Sequence, residues 1–184
     1  MSKGRYSSQL TFFAMTDEEV YGLAVERKTR MEKRAVPGVR RIHRATDKEA
    51  IIAALTASNL GVFREIWRLL IFAAQVGMKN EKREPLIGID SGKGIDQSTF
   101  GNCPAWPGIL YLMGLAVTDD SEILAGSEDA EDQRLNTFQE YANGGLMLLE
   151  EFFSNRAVDL DGMLAFIDTQ MYQNELKPDL EFTI

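Results

Sequence analysis

The most apolar part of the chain is the segment 62–76, in which 11 of 15 residues are apolar. Three of its polar residues, Arg64, Arg68 and Gln75, fall on one narrow stripe of a helix. A helix that is apolar on every other side belongs in the middle of a bundle. Gly77 follows the segment and predicts its C-terminal cap, because glycine readily adopts the backbone conformation that ends helices.

Further segments have apolar residues at helical spacing, namely 16–34, 46–58, 107–117, 127–153 and 159–171, and a short helix is expected near 121–124. The first two begin with capping boxes, Thr16-Asp-Glu-Glu19 and Thr46-Asp-Lys-Glu49, in which the hydroxyl and the carboxylate bind backbone amides. The segment 107–117 predicts a second buried helix, with Pro107 in its first turn.

Asn143-Gly144-Gly145 interrupts the longest of these segments. Two glycines inside a helix cost roughly 1 kcal/mol each. We therefore expect a break in the helix here, with Gly144 or Gly145 at a positive φ that other residues adopt only at a cost. A broken helix exposes amides and carbonyls that need partners.

Helical spacing is absent between 78 and 106, where 86–90 predicts a short strand and 91–94 a turn. A short extended piece is expected at 38–44. The sequence thus predicts an all-α fold, a compact single-domain bundle of six to eight helices with a basic N-terminal helical arm and at most one short hairpin. We divide it into an arm (1–44), a helical core (45–175) and a tail (176–184).

Charge is distributed unevenly along the chain, whose net charge is −8. Residues 1–50 carry a net +4 and residues 101–184 a net −13. Basic side chains concentrate between 27 and 44, in a row that predicts contact with DNA phosphates: Arg27, Lys28, Arg30, Lys33, Arg34, Arg40, Arg41 and Arg44. The alternatives are a solvated face, or docking on acidic neighbours such as 128–132, because an acidic protein as a whole repels DNA.

No group of residues has the pattern of a catalytic or metal site. The turn 91–94 lacks the spacing and the hydroxyl residue of a phosphate-binding loop. A calcium loop at 157–168 would lack its first ligand, so Asp159 or Asp161 is interpreted as a helix N-cap. The acids of 119–132 are interpreted as a solvated face, and the single histidine and cysteine, His43 and Cys103, have no identifiable catalytic partner.

Two segments carry a resemblance to a known family. They are Leu70-Ile-Phe-Ala-Ala-Gln-Val-Gly-Met-Lys79, followed by Arg83-Glu84-Pro85-Leu86, and Phe138-Gln-Glu-Tyr-Ala-Asn-Gly-Gly-Leu-Met-Leu-Leu149. In order and spacing the chain resembles the DNA phosphorothioation-associated (Dnd system-associated) protein 4 family over about 38–170. Residues 1–35 and the tail lie outside the match, and 87–106 fits it poorly. Six residues match its motifs and are candidate structural or partner-contact positions: Arg83, Glu84, Tyr141, Asn143, Gly144 and Gly145.

The resemblance implies an accessory or regulatory protein of a DNA modification and restriction system that defends against phage. We expect it to be non-enzymatic, to need no cofactor or metal, and to act by binding other proteins of the same locus. The alternative is a DNA-binding regulator that uses 27–44, and self-association is a further expectation. The N-terminus lacks the apolar core of a signal peptide and no segment is apolar enough to span a membrane, so we expect a cytoplasmic protein.

Overall fold

The computed structural model describes residues 40–57 and 62–172. All of these except Arg40 belong to the unit Arg41–Ile184. Six α-helices lie within the described residues: α1 (Glu49–Thr56), α2 (Ile66–Lys79), α3 (Gln97–Phe100), α4 (Trp106–Thr118), α5 (Glu128–Phe153) and α6 (Leu160–Tyr172). Three 3-10 helices accompany them at Thr46–Lys48, Ser91–Lys93 and Ser121–Leu124, and two short strands at β1 (Arg41–Ile42) and β2 (Ile95–Asp96).

The predicted all-α fold is confirmed. Of the described residues, only β1 and β2 form a sheet, which is antiparallel and pairs Arg41 with Asp96 and Ile42 with Ile95. The predicted strand at 86–90 is reduced to an isolated bridge between Ala45 and Ile89. The predicted helix at 16–34, with its capping box at Thr16, lies outside the described residues.

The core is centred on the packing of α2 against α5, which is the most extensive helix interface of the described chain. Apolar side chains of both helices are fully buried there, as the periodicity of 62–76 predicts. At one end of the interface Phe100 packs between three aromatic rings, with centroids 4.5 Å away at Trp106, 5.9 Å at Phe138 and 6.4 Å at Trp67. The tiny α3 is therefore fixed by its one buried ring.

The break predicted at Asn143-Gly144-Gly145 is wrong, because α5 runs without interruption from Glu128 to Phe153. Neither glycine has a positive φ. A Cβ at Gly144 would overlap the Lys82 carbonyl, and one at Gly145 would overlap the Ala73 carbonyl of α2. These glycines allow close approach of two backbones, a tertiary requirement that outweighs their poor helix propensity.

The predicted cap at Gly77 is wrong for the same reason. Gly77 lies inside α2, and a Cβ there would overlap the Tyr141 carbonyl of α5. The helix ends instead in a Schellman motif, in which the Glu81 amide donates to the Met78 carbonyl (3.1 Å) and the Lys82 amide to the Gly77 carbonyl (2.8 Å). Glu81 takes the left-handed conformation, with φ 53°.

The capping box predicted at Thr46 is also wrong. A 3-10 turn precedes α1, and no side chain caps either element. Glu49 is engaged elsewhere, since its carboxylate binds Arg44 Nε at 2.7 Å and Lys93 Nζ at 3.3 Å.

Lys48 is buried and donates to Glu150 of α5 at 2.7 Å. Burial lowers the pKa of Lys48, but its hydrogen bonds to Glu150 and Asp47 raise the pKa by more.

Predictions for the C-terminal half are partly confirmed. A short helix forms at Ser121–Leu124, and Asp159 caps α6 by accepting a hydrogen bond from the Gly162 amide at 2.8 Å. The helix α4 is only half-buried, however, because Tyr111, Leu112 and Leu115 are exposed on its outer face. The prediction of a buried helix at 107–117 is therefore wrong for that face.

Candidate functional site

The predicted motif residues come together where the chain leaving α2 crosses α5. Arg83 Nε donates to the Glu140 carboxylate at 2.6 Å, and its guanidinium lies 5.9 Å from the centroid of the Tyr141 ring. The Glu84 amide donates to the Glu140 carbonyl at 3.1 Å. Arg83 and Glu84 thus anchor the chain to one turn of α5, although they do not pair with each other.

Asn143 fastens the next residues. It is buried on α5, and its Nδ2 donates to the Pro85 carbonyl at 3.0 Å and to the Glu84 carbonyl at 3.5 Å. Its Oδ1 is buried without a hydrogen bond from any described residue. Gly144 has no side chain, so the Lys82 carbonyl can approach α5 closely. One face of α5 therefore supports the chain that leaves α2.

A second set of contacts holds the far end of the same segment. The Thr46 amide donates to the Gly88 carbonyl at 3.0 Å, and Gly88 has φ +70°, a conformation suited to glycine. Arg44 Nη1 donates to the Lys93 carbonyl at 2.7 Å. Residues 83–93, called the tethered loop below, are therefore fixed at both ends without regular secondary structure over most of their length.

Two large apolar side chains stand on the tethered loop between its anchors. Ile87 is 77% exposed and Ile89 is 51% exposed. No described residue accepts a hydrogen bond from the amide of either isoleucine. Neither isoleucine was predicted as a contact residue, although both lie in the segment 86–90 for which a short strand was expected.

The surroundings of the loop carry paired charges. Besides Arg83 with Glu140, Lys82 Nζ lies 2.8 Å from the Glu84 carboxylate. Burial raises the pKa of Glu49, but hydrogen bonds from Arg44 and Lys93 lower it by more. Glu49 thus stays ionised to a lower pH than an ordinary glutamate, and these charges stabilise the position of the loop.

The predicted DNA-binding row is only partly described. Arg27, Lys28, Arg30, Lys33 and Arg34 lie outside the described residues, and the row remains a prediction. Of the others, Arg40 is half-buried and Arg41 binds Asp96 at 2.9 Å. The side chain of Arg44 is only 9% exposed, because it is paired with Glu49. Arg44 accordingly holds the tethered loop rather than facing solvent.

Other candidate residues do not form a chemical site in the described part of the chain. His43 is half-buried, its Nδ1 has no hydrogen-bond partner among the described residues, and Cys103 carries a free thiol. Among the residues described, no group of three or more His, Cys, Asp and Glu side chains could hold a metal ion. Within the same limits, no helix is long and apolar enough to cross a membrane.

One buried charge was not predicted from the sequence. Arg134 on α5 is 4% exposed, donates to the carbonyls of Ile123 and Ala125, and lies 4.5 Å from the Tyr111 ring centroid. It ties Ser121–Leu124 to α4 and α5. The scarcity of basic residues could have pointed to Arg134, since residues 101–184 hold only three of them.

Comparison with known proteins decides the family. The model of the DNA sulphur modification system-associated protein 4 family matches residues 41–184. The chain belongs to this family. The resemblance stated from the sequence is thereby confirmed, and the match includes the tail, which that resemblance had left outside.

The family match begins at Arg41, the first residue of β1, and includes every element described above. It associates the chain with a DNA sulphur modification (Dnd) system. Comparisons with curated proteins and with solved structures found no match. What the protein does within that system must therefore be argued from its own geometry.

Proposed function

We propose that this protein is a non-enzymatic accessory component of its DNA sulphur modification system and acts by binding another protein of that system through the tethered loop. The observation that carries the proposal is the exposure of Ile87 and Ile89 on a segment anchored at both ends. Family membership supports an accessory role and names the system in which the partner is to be sought.

The energetics favour this loop as a contact. Burying an exposed isoleucine side chain contributes about 1.5–3 kcal/mol. When two proteins associate, part of this free-energy gain is normally offset by the entropy lost as mobile segments become ordered. The anchors at Gly88 and Pro85 hold the loop before binding, so that little further ordering is required.

The chemistry of the surface supports recognition in preference to catalysis. The tethered loop carries four charged residues, Arg83, Glu84, Asp90 and Lys93. Arg83, Glu84 and Lys93 each have an ion-pair partner within the chain, and the Asp90 carboxylate accepts a hydrogen bond from the Gly92 amide at 2.9 Å. A general acid or base needs a proton-transfer partner on its substrate, and a nucleophile needs an activating base. The arrangement instead matches a small apolar contact patch with a polar rim, which is typical of protein interfaces.

Co-purification from the native locus tests the proposal. The tagged full chain is expressed with the other proteins of its system, alongside Ile87→Asp and the matched control Leu112→Asp, since Leu112 is 68% exposed on α4. We expect Ile87→Asp to lose its partner and Leu112→Asp to retain it, with unchanged melting in both. Loss with Leu112→Asp alone would place the contact on α4, and retention in both would exclude the tethered loop.

A further inference from the structure

A second exposed feature lies at the other end of α2. A cleft of about 630 Å³ opens at its N-terminus. The fourteen residues of α2 separate it from the tethered loop by roughly 20 Å. Its walls come from the chain before α2, from the first turns of α2 and from residues 102–104 after α3. Its lining residues include Val62, Phe63, Arg64, Trp67, Arg68 and Ile71.

The helix end at this cleft has backbone donors that find no acceptor among the described residues. No side chain caps α2, because the Glu65 carboxylate turns to Arg68 Nε at 3.1 Å. Among the described residues, none accepts a hydrogen bond from the amides of Ile66 and Trp67. Such amides, together with the helix dipole, favour an anion.

An independent observation comes from the indole of Trp67. This residue lines the cleft, is 7% exposed, and its Nε1 is buried with no acceptor in the described part of the chain. A buried donor without an acceptor is destabilising, since it has lost its hydrogen bonds to water. An acceptor supplied by a ligand would complete it.

Two arginines give the cleft its charge. The Arg68 guanidinium lies 4.7 Å from the centroid of the Trp67 ring. Arg64 is exposed and makes no ion pair within the described residues. Glu65 is the one acid next to them in the sequence, and it is already bound to Arg68. The two guanidinium groups at the cleft are therefore balanced by only one neighbouring carboxylate of the described residues, that of Glu65.

We propose that this cleft binds a carboxylate side chain of a partner polypeptide, flanked by apolar residues. The carboxylate would accept from the arginines, the indole and the first amides of α2. The flanking residues would cover the apolar walls, which include Val62, Phe63 and Ile71. Bidentate pairing with arginine is well suited to a carboxylate.

A nucleic acid fits this site less well. A DNA strand presents a continuous row of phosphates, and its binding depends on many basic contacts. The cleft offers two arginines on a chain whose residues 101–184 carry a net −13. This cleft is separate from the tethered loop, so the inference holds whether or not the loop binds a partner.

Fluorescence anisotropy with the purified full chain tests the inference. The probes are a fluorescein-labelled peptide of sequence Gly-Ser-Leu-Phe-Glu-Leu-Phe-Ser-Gly, the same peptide with Gln for Glu, and a labelled twelve-nucleotide single-stranded DNA. We expect the Glu peptide to bind at least tenfold tighter than the Gln peptide. The double variant Arg64→Ala, Arg68→Ala should weaken Glu-peptide binding at least tenfold.

Two further variants keep the test specific. Trp67→Phe retains the ring under Arg68 but removes the indole donor, and should weaken the Glu peptide severalfold. Arg156→Ala is the matched control, because Arg156 also stacks on an aromatic ring, 4.2 Å from the centroid of Phe152, outside the cleft. It should leave binding unchanged, and circular dichroism melting should show all variants folded.

Three results would overturn the inference. The first is an absence of Glu-peptide binding, or equal binding of the Gln peptide. The second is tighter binding of the oligonucleotide that is lost with the arginine variant, which would assign the cleft to phosphates. The third is a concentration-dependent dimer, seen by sedimentation and abolished by Arg64→Ala, which would assign it to a second copy.

Discussion

The two ends of α2 differ in how their backbone groups are satisfied. At the C-terminal end the chain closes on itself through the Schellman motif at Glu81, and Asn80 Nδ2 donates to the Val76 carbonyl at 2.8 Å. At the N-terminal end no described side chain caps the helix, and the Trp67 indole donor has no acceptor in the part of the chain that the structure describes. The closed end supports an apolar loop and the open end leaves donors in a cleft, so one helix provides two different kinds of surface.

The largest effect should come from the close backbone contact between α2 and α5. Gly145→Ala places a methyl group against the Ala73 carbonyl, and neither helix can yield without repacking. We expect the free energy of unfolding to fall by about 3 kcal/mol or more, and the Tm by roughly 6–12 °C. Gly108→Ala is the control, since its methyl group would meet nothing within 4 Å. Equal melting of both variants would contradict the close approach of α2 and α5.

Removing the donor that fastens the loop should have the next largest effect. Asn143→Asp keeps the shape of the side chain but sets a carboxylate oxygen against the Pro85 carbonyl. The expected loss is about 2 kcal/mol in the free energy of unfolding, measured in urea. At the open end, Arg64→Ala should leave stability within about 0.5 kcal/mol of the unmodified protein. A lower free energy of unfolding for Arg64→Ala than for Asn143→Asp would contradict the proposed difference between the two ends of α2.

The ion pairs around Glu49 should contribute less and depend on pH. Its lowered pKa means that the stabilisation is present above the ordinary value of 4.5 and is lost as the pH falls through the folded-state value below it. Glu49→Gln should therefore cost about 1 kcal/mol at pH 7 and little at the acidic end of that window. Urea unfolding at a series of pH values measures the difference, and a constant difference down to pH 3 would exclude this role for Glu49.

The smallest effect on stability is expected from Arg83. Its ion pair with Glu140 is partly exposed, and such pairs contribute about 0.2–1 kcal/mol. Arg83→Ala should thus melt nearly as the unmodified protein does. Recovery of the partner should fall only modestly, because Ile87 and Ile89 carry the contact. A melting point several degrees lower would show that Arg83 is chiefly an internal support.

The sequence predicted those features that depend on local pattern. Apolar periodicity identified the central helix, and the Asp159 side chain marked the start of α6. Helix propensity gave the wrong prediction at Gly77, Gly144 and Gly145. These glycines let the backbone of another element approach closely, and neighbouring residues in the sequence do not reveal such a contact.

The candidate sites were predictable to different extents. The motif residues around Arg83 and Asn143 were found through the family resemblance, and the fold brings them together. The exposure of Ile87 and the cleft at Trp67 depend on which surfaces the bundle leaves uncovered. The spacing of apolar residues does not reveal which surfaces stay uncovered, since an exposed and a buried isoleucine look alike in the sequence.

Hydrogen–deuterium exchange of the complex with the co-purified partner tests the central claim most directly. In the free chain the amides of Ile87 and Ile89 have no acceptor among the described residues, so they should exchange rapidly. We predict that the partner slows exchange most strongly in residues 83–93. Unchanged exchange there, with protection appearing over Trp106–Thr118 instead, would contradict the account and place the partner on α4.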